Sequence, residues 1–467
     1  MKHIIDKTLE QMAAHFGLAG AAMLVVKEGK TALKYCWGQA DITTGRPVTE
    51  TCYFDIASNS KAFTTMMTAQ LCDEGKLDWD TPVRKWWPDF AMADKFASER
   101  MTARDMACHR TGLCSHDMLS RQTDEELPSR AALVERVKHL PLAWDFRSHY
   151  HYQNQMYTCL GYLGELADGR TWEEMVRARI AEPLGMDVEF RGLSDMRNKE
   201  QAMPHRNAGG KAVPSRFSTV WTGNPCGGIK TNLRSMEKWL HTLIRGGLME
   251  NGERLVSEQQ FKNLITPCII RPDTWNPHEP VNTYALAWMC SVYKGHKLVC
   301  HSGSVSGFNS HVGFFPEENC GYVILTNCGG TNLPDLMHYV LSDLALGIEE
   351  QDYGDLIALL PALQPKAAKA EEPAALTPTA GDLVNIPGRY WHPGYHNLYI
   401  ELSGGTLTAR LGITQAKLIK IAPGRFCGKF EGTDSTADFR FSEDGRTLTV
   451  NFTPNVADCP FVYKKKD

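Results

Sequence analysis

Strand-like runs stand near both ends of the first 350 residues, and helical patterns fill the interval. Residues 20–26 (Gly-Ala-Ala-Met-Leu-Val-Val) and 31–38 (Thr-Ala-Leu-Lys-Tyr-Cys-Trp-Gly) read as two strands joined by the turn Lys27-Glu28-Gly29-Lys30, which makes a hairpin. Strand signals return at 284–292, 297–301, 310–315 and 321–326. Helical spacing is clearest over 130–140, 156–166 and 236–245, the last closed by Gly246-Gly247, and again over 333–346. Strands that flank a helical middle imply a mixed α/β chain of the α+β type: one antiparallel sheet built from both chain ends, with helices around it and a helical region inserted.

The pattern changes after residue 360. Pro361, Pro365, Pro373 and Pro378 punctuate an alanine-rich run that carries Lys366, Lys369, Glu371 and Glu372, the composition of an exposed linker. Helix signals then stop. Short alternating segments follow at 398–402, 406–411, 416–421, 425–430, 438–442 and 447–452, with turns at Gly404-Gly405, Gly424 and Glu443-Asp444-Gly445. Short strands at regular spacing predict a small all-β barrel or sandwich. The expected division is a first domain over 1–360, a linker over 361–382 and a β-barrel domain over 383–467. The closing Lys464-Lys465-Lys466 reads as a solubilising tail.

Several function classes are excluded early. The net charge of −4, with its basic residues scattered, gives no argument for nucleic acid or an anionic membrane as partner. Residues 1–16 place Ile4, Ile5, Leu9, Met12 and Phe16 at near-helical spacing, without the unbroken apolar core of a signal peptide. No stretch is long and apolar enough to span a bilayer, so a cytoplasmic protein is expected. The 14 cysteines form no C-x-x-C pair and read as small buried hydrophobes of a reducing compartment. His149 and His151 flank Tyr150 but have no third ligand nearby, so neither metal nor cofactor is expected.

The chemistry is carried by Tyr53-Phe54-Asp55-Ile56-Ala57-Ser58-Asn59-Ser60-Lys61, which leads into a small-residue apolar run from Ala62 to Leu71. That run reads as a buried helix. Ser58 then stands at its start with Lys61 three residues on, on the same face. An unassisted serine is a weak nucleophile, and a lysine beside it can serve as its base. The S-x-x-K arrangement has this form. The alternative is an N-cap serine.

Acyl transfer also needs a second proton carrier and an oxyanion hole. Tyr152-Gln153-Asn154 offers a tyrosine that can act as base near cations and an asparagine that can donate to a substrate carbonyl. A packed tyrosine and a capping asparagine are the alternative. His301-Ser302-Gly303-Ser304 ends a strand; Gly303 would allow close backbone approach, and the Ser304 N–H could point at an oxyanion.

In chain order, Ser58-x-x-Lys61, Tyr152-x-Asn154 and His301-x-Gly303 resemble the serine β-lactamase and penicillin-binding-protein-like hydrolases. The branch they are most similar to holds class C β-lactamases, serine D-peptidases and related esterases. His109-Arg110-Thr111-Gly112-Leu113, Cys226-Gly227-Gly228-Ile229-Lys230-Thr231-Asn232 and Tyr284-Ala285-Leu286-Ala287-Trp288 are similar to that family too, as are Gly307-Phe308 and Phe315-Pro316-Glu317. The resemblance covers about residues 15–345. Ile386-Pro387-Gly388-Arg389-Tyr390 and His392-Pro393-Gly394-Tyr395 resemble the lipocalin-like domain fused to many such enzymes, a domain that could cover the cleft or drive oligomerisation.

The resemblance implies these roles. Ser58 is the acylated nucleophile, Lys61 and Tyr152 share the proton work, and Asn154 binds the substrate amide. The Ser58 and Ser304 N–H groups form the oxyanion hole, and His301 lines the site. Class C β-lactamases carry lysine where this chain has His301, and histidine there is more similar to the D-peptidases, esterases and peptide cyclases. The implied activity is a cofactor-free serine hydrolase of small amides, peptides (with a D-residue among the options) or esters. The rivals are an acyl transferase or peptide cyclase of the same fold, a class C-like β-lactamase, and a non-catalytic ligand sensor. The expected partner is a small-molecule or peptide substrate, and a homo-oligomer is compatible with the pattern.

Overall fold

The computed structural model describes residues 2–121, 129–194, 196–218, 221–272, 279, 282–331, 333–348, 375–431, 436–453 and 460–466. The chain folds as two compact units, Met1–Thr81 with Leu160–Pro365 and Pro82–Cys159 with Lys366–Asp467.

A nine-stranded antiparallel sheet organises the first unit. Its order is Arg46–Pro47, Lys30–Asp41, Gly20–Lys27, Cys320–Thr326, Phe308–Phe315, His296–Val305, Met289–Tyr293, Asn282–Tyr284 and Ile269–Ile270. The opening hairpin turns through Glu28 (φ 51°) and Gly29 (φ 71°), both left-handed, as a tight two-residue turn requires. Gly20–Lys27 then pairs with Cys320–Thr326, with Ala21 opposite Thr326 and Val26 opposite Gly321. The sheet is thus made from both ends of the family-like region, as the strand pattern predicts. Every residue of Phe308–Phe315 and Cys320–Thr326 is buried, because both faces of these central strands are covered.

One face packs against two helices. Ile5, Leu9, Met12 and Phe16 of Lys2–Phe16 join Leu336, Met337 and Val340 of Leu333–Leu346 over Met23, Val25, Tyr322 and Ile324. Leu233–Ile244 also packs on these strands, and its Trp239 stacks on Phe63 at 4.3 Å. The run read as one strand over 284–292 is broken. Ala285 N–H donates to Trp288 O at 2.7 Å and Ala287 takes φ 72°, which makes a tight turn inside an apolar sequence. All of 284–288 is buried, so composition alone gives this turn the look of a strand.

In the second unit, helix Ala103–Ala107 is capped by Thr102 in a capping box with Asp105. The segment expected to be helical over 130–140 is α-helical only at Arg130–Val134 and continues as a 3₁₀ turn at Glu135–His139. The C-terminal strands form one nine-stranded antiparallel sheet that curls into a nearly closed barrel, the strands Thr414–Lys417 and Ile419–Ala422 lying at its two ends. Lys464-Lys465-Lys466 is no tail. It belongs to the strand Phe461–Lys466, which pairs with Gly388–His392 on one side and Thr447–Thr453 on the other. Phe461 and Tyr463 face the core and Lys464 faces water, so three successive charges hide a strand of ordinary alternation. Residues 361–374 of the expected linker lie outside the described residues. The rest is attached to the barrel: Leu376 N–H donates to Lys420 O at 2.9 Å, and buried Lys420 pairs with Asp382 at 2.5 Å.

No described cysteine is in a disulfide, and Cys52, Cys108, Cys114, Cys159, Cys290, Cys300, Cys320 and Cys328 are buried thiols. Among the described residues no helix is long and apolar enough to cross a membrane, and no group of three or more His, Cys, Asp or Glu could hold a metal ion. The rings of His149 and His151 pack on Trp144 at 4.8 and 4.5 Å.

Candidate active site

The two-residue strand Phe54–Asp55 pairs with Ile229–Thr231 and delivers the chain into a 3₁₀ turn at Ala57–Asn59. Helix Ser60–Asp73 follows, buried almost all round from Ser60 to Leu71. Ser58 therefore sits two residues before the α-helix, inside the tight turn, while Asn59 takes the cap position. Three residues per turn bring i and i+3 into register. The fully buried Lys61 then places its Nζ 3.0 Å from Ser58 Oγ and 2.6 Å from Cys226 O. Ser58 itself is only partly buried, so its hydroxyl is reachable.

The turn is strained and heavily braced. Ala57 has φ 47°, a left-handed conformation that costs a non-glycine residue on the order of 1–3 kcal/mol. Its N–H donates to Asp55 Oδ1 at 3.0 Å, and Arg191 holds that carboxylate at 2.9 and 3.0 Å. Ile56 N–H donates to Ile229 O at 3.0 Å, and Ile56 O accepts from Ser310 Oγ at 2.7 Å. Ile229 N–H donates to Ser60 Oγ at 3.0 Å, and Thr64 Oγ1 donates to Pro225 O at 2.7 Å. The Cys226–Asn232 segment is thus laid along the turn that carries Ser58.

Gly303 is packed against the same turn. A Cβ there would collide with Ile56 O and would lie 2.5 Å from Ser310 Oγ and 3.1 Å from Ser58 N. Only glycine lets the strand His296–Val305 come this close. His301, on that strand, is 3% exposed. Its Nδ1 lies 2.5 Å from Ser302 O, which can only accept, so Nδ1 carries the proton and Nε2 accepts from the Tyr284 hydroxyl at 2.9 Å. The ring is neutral. Burial first, and the charge of Lys61 second, push the imidazole down to about 3.

That shift has a consequence for stability. His116 and His338 are likewise pushed down to about 3, and His392 to about 4, in each case mainly by burial. An unfolded histidine titrates near 6.5, so below that pH the unfolded chain binds protons that the folded chain refuses. Stability is therefore full above about pH 6.5 and falls as the pH drops toward 3, each such group contributing up to about 1.4 kcal/mol per pH unit. The urea midpoint is expected to match at pH 8 and 7, to fall clearly at pH 5, and to fall less in His301→Gln. Equal midpoints at pH 7 and 5 would contradict this.

Tyr152 and Asn154 belong to the second unit. The His109–Leu113 loop supports them through backbone bonds: Gly112 O accepts from Ala143 and Trp144, Arg110 O from Arg147, and His109 O from His151. A Cβ at Gly112 would collide with Trp144 O. The Tyr152 ring lies 4.3 Å from the His109 ring, whose Nδ1 accepts from Gln153 N–H at 3.4 Å. Asn154 Nδ2 donates to Asp117 Oδ1 at 2.8 Å. Buried Asp105 ties the loop together, accepting from Arg110 at 2.6 Å and from Arg147 at 2.7 and 2.9 Å.

The structure thus gathers Ser58, Lys61, His301, Gly303 and the neighbouring Ser304 in one unit, and Tyr152 and Asn154 in the other. Sequence reasoning missed Asp55, Arg191, Ser310, Asp105 and Asp117. Asp55 left a signal, a lone acid in an apolar lead-in three residues before Ser58; its partner Arg191 left none.

Residues 5–346 match the family model described as Beta-lactamase. The chain is 24% identical over 421 residues to an unguisins hydrolase of Aspergillus campestris, covering 85% of this chain and 76% of that protein. Its fold is similar to that of the octameric penicillin-binding protein homologue from Pyrococcus abyssi, with a TM-score of 0.67, 20% identity and 99% of each chain covered. It is also similar to the D-amino acid amidase from Ochrobactrum anthropi SV3, with a TM-score of 0.61, 20% identity, and 78% of this chain and 99% of that chain covered.

Proposed function

Since the chain belongs to the beta-lactamase family, we propose that it is a serine hydrolase working through an acyl-enzyme on small amides, peptides or esters. The observation that carries this reading is the buried Lys61 amine 3.0 Å from the Oγ of the accessible Ser58. In the first step Ser58 Oγ bonds to the substrate carbonyl carbon and its proton passes to the Lys61–Tyr152 pair. The C–N or C–O bond then breaks, and the leaving group takes that proton. In the second step water attacks the ester on Ser58, and the acid leaves. Asn154 binds the substrate amide, and the Ser58 and Ser304 N–H groups stabilise the oxyanion. The octameric Pyrococcus neighbour supports self-association of this chain as well.

His301 favours neutral acyl groups. A neutral imidazole offers a β-lactam carboxylate no ionic partner, and charge-assisted hydrogen bonds contribute roughly 1.5–3 kcal/mol, about one to two powers of ten in rate. The D-amino acid amidase neighbour supports amides, with D-residues among them, and the unguisins hydrolase relative supports hydrolysis. A panel of D- and L-amino-acid amides, peptides, esters, penicillins and cephalosporins, read by mass detection of the acyl-enzyme, tests the reading. Neutral amides or esters should exceed β-lactams by about 10- to 100-fold in kcat/KM, and His301→Lys should narrow the gap. Cephalosporin turnover faster than that of every neutral substrate would replace this reading with a β-lactamase.

A further inference from the structure

None of the proposed chemical groups lies in the barrel, yet one of its hairpins reaches the segment that holds Asn154. Gly388–His392 returns into His396–Ser403 through Pro393, Gly394 and Tyr395. The hairpin tip is seated on the insertion of its own unit: a Cβ at Gly394 would lie 2.8 Å from Leu140 Cδ2, and Arg136 Nη2 lies 3.0 Å from His396 Nδ1. Tyr395 is 1% exposed, and its hydroxyl lies 3.1 Å from Nδ1 of His116, which is equally buried. His116 N–H donates to Gln155 Oε1 at 3.4 Å. The next residue, Asp117, accepts from Asn154 Nδ2.

We propose that Tyr395 is a positioning residue for Asn154: its hydroxyl holds His116, His116 holds Asp117 and Gln155 in place, and Asp117 fixes the plane of the Asn154 amide. The barrel thereby sets how firmly the site grips a substrate amide. The inference rests on the role given to Asn154 in the proposed function. Its physical basis is short. An amide with one Nδ2 hydrogen committed to a carboxylate has lost its rotation, so the direction of its remaining donor and acceptor follows the carboxylate. Asp117 in turn is attached to a buried ring whose place depends on a hydroxyl some 280 residues away in sequence. Because burial keeps His116 neutral well below neutral pH, this contact does not switch within the physiological range.

Tyr395→Phe in the full-length protein keeps the ring packed on His392 and Phe461 and removes only the hydroxyl. The expected result is a five- to tenfold loss of kcat/KM on an amino-acid amide, roughly one net hydrogen bond, carried mainly by KM. Labelling of Ser58 by a small fluorophosphonate, which presents no amide to Asn154, should change less than about twofold. In an Asn154→Ala background Tyr395→Phe should add nothing, because the two act in one chain. His116→Asn, which keeps a polar group near the Nδ1 place, should retain most activity, and His116→Leu should match Tyr395→Phe. Amide hydrogen exchange at 114–117 and 153–156 should quicken in Tyr395→Phe. Additive effects with Asn154→Ala, equal slowing of fluorophosphonate labelling, or unchanged exchange would each overturn the proposal. Exchange needs no turnover, so it decides the positioning even if wild-type Ser58 resists labelling, the outcome that would sink the serine-hydrolase reading instead.

Discussion

Ser58→Ala is expected to reduce turnover by at least about four orders of magnitude and to remove the covalent adduct with a fluorophosphonate. Lys61→Ala should cut the acylation rate by about 10²- to 10⁴-fold while leaving Ser58 in place. The reasoning is geometric. The lysine is fully buried, three residues from the serine, and bonded both to its Oγ and to Cys226 O. Alanine at 61 leaves the hydroxyl without its neighbouring base and Cys226 O without that donor. Intact-protein mass spectrometry with peptide mapping reads both results. An adduct at another residue of the folded wild-type protein would refute the assignment of the nucleophile, and a Lys61→Ala variant acylated at the wild-type rate would remove the lysine from the mechanism.

Gly303→Ala should fall within the range expected for Lys61→Ala although it adds one methyl group. That methyl would collide with Ile56 O and crowd Ser310 Oγ and Ser58 N, so the strand must retreat from the turn that holds Ser58. Displacement of oxyanion donors or nucleophile by about 1 Å costs on the order of 100-fold, and loss of one oxyanion donor about 10²- to 10³-fold. We expect a 100- to 1,000-fold loss of kcat/KM, and a lowered melting temperature from overpacking of about 1–3 kcal/mol. A folded variant acylated within threefold of wild type would show that this close approach does not serve the reaction.

The sheet was legible in the sequence, and the proposed motifs could be located there, because the signals are local. Apolar runs bounded by turn residues mark 20–38 and 297–326, and Ser58, Tyr152 and His301 each sit within a short patterned stretch. What escaped was set by distant partners or by backbone conformation. Ala285–Trp288 is apolar and buried like a strand, and only the left-handed Ala287 makes it turn. The strand Phe461–Lys466 was hidden by three lysines, since charge suggested solvent while register demanded pairing. The bracing of the turn that carries Ser58 depends on Arg191 reaching Asp55 across 136 positions, a contact with no sequence signature. The N-cap alternative for Ser58 fell for a comparable reason: a 3₁₀ turn precedes the helix and moves the cap to Asn59.

The register of the central sheet also governs when the protein can exist at all. Gly20–Lys27 is synthesised before its partner Cys320–Thr326, which follows roughly 300 residues later, and at 5–20 residues per second that is a wait of about 15–60 s. Until then one edge of the first hairpin is unpaired and apolar, the condition in which strands find wrong partners. The barrel has the same dependence, since Gly388–His392 pairs with Phe461–Lys466, made some 70 residues later. Pro82–Cys159 is made long before the barrel with which it forms a compact unit. The second unit cannot close until its last barrel strand is made, so nascent chains of this protein should rely on chaperones, and a stop before that strand should yield an aggregating fragment.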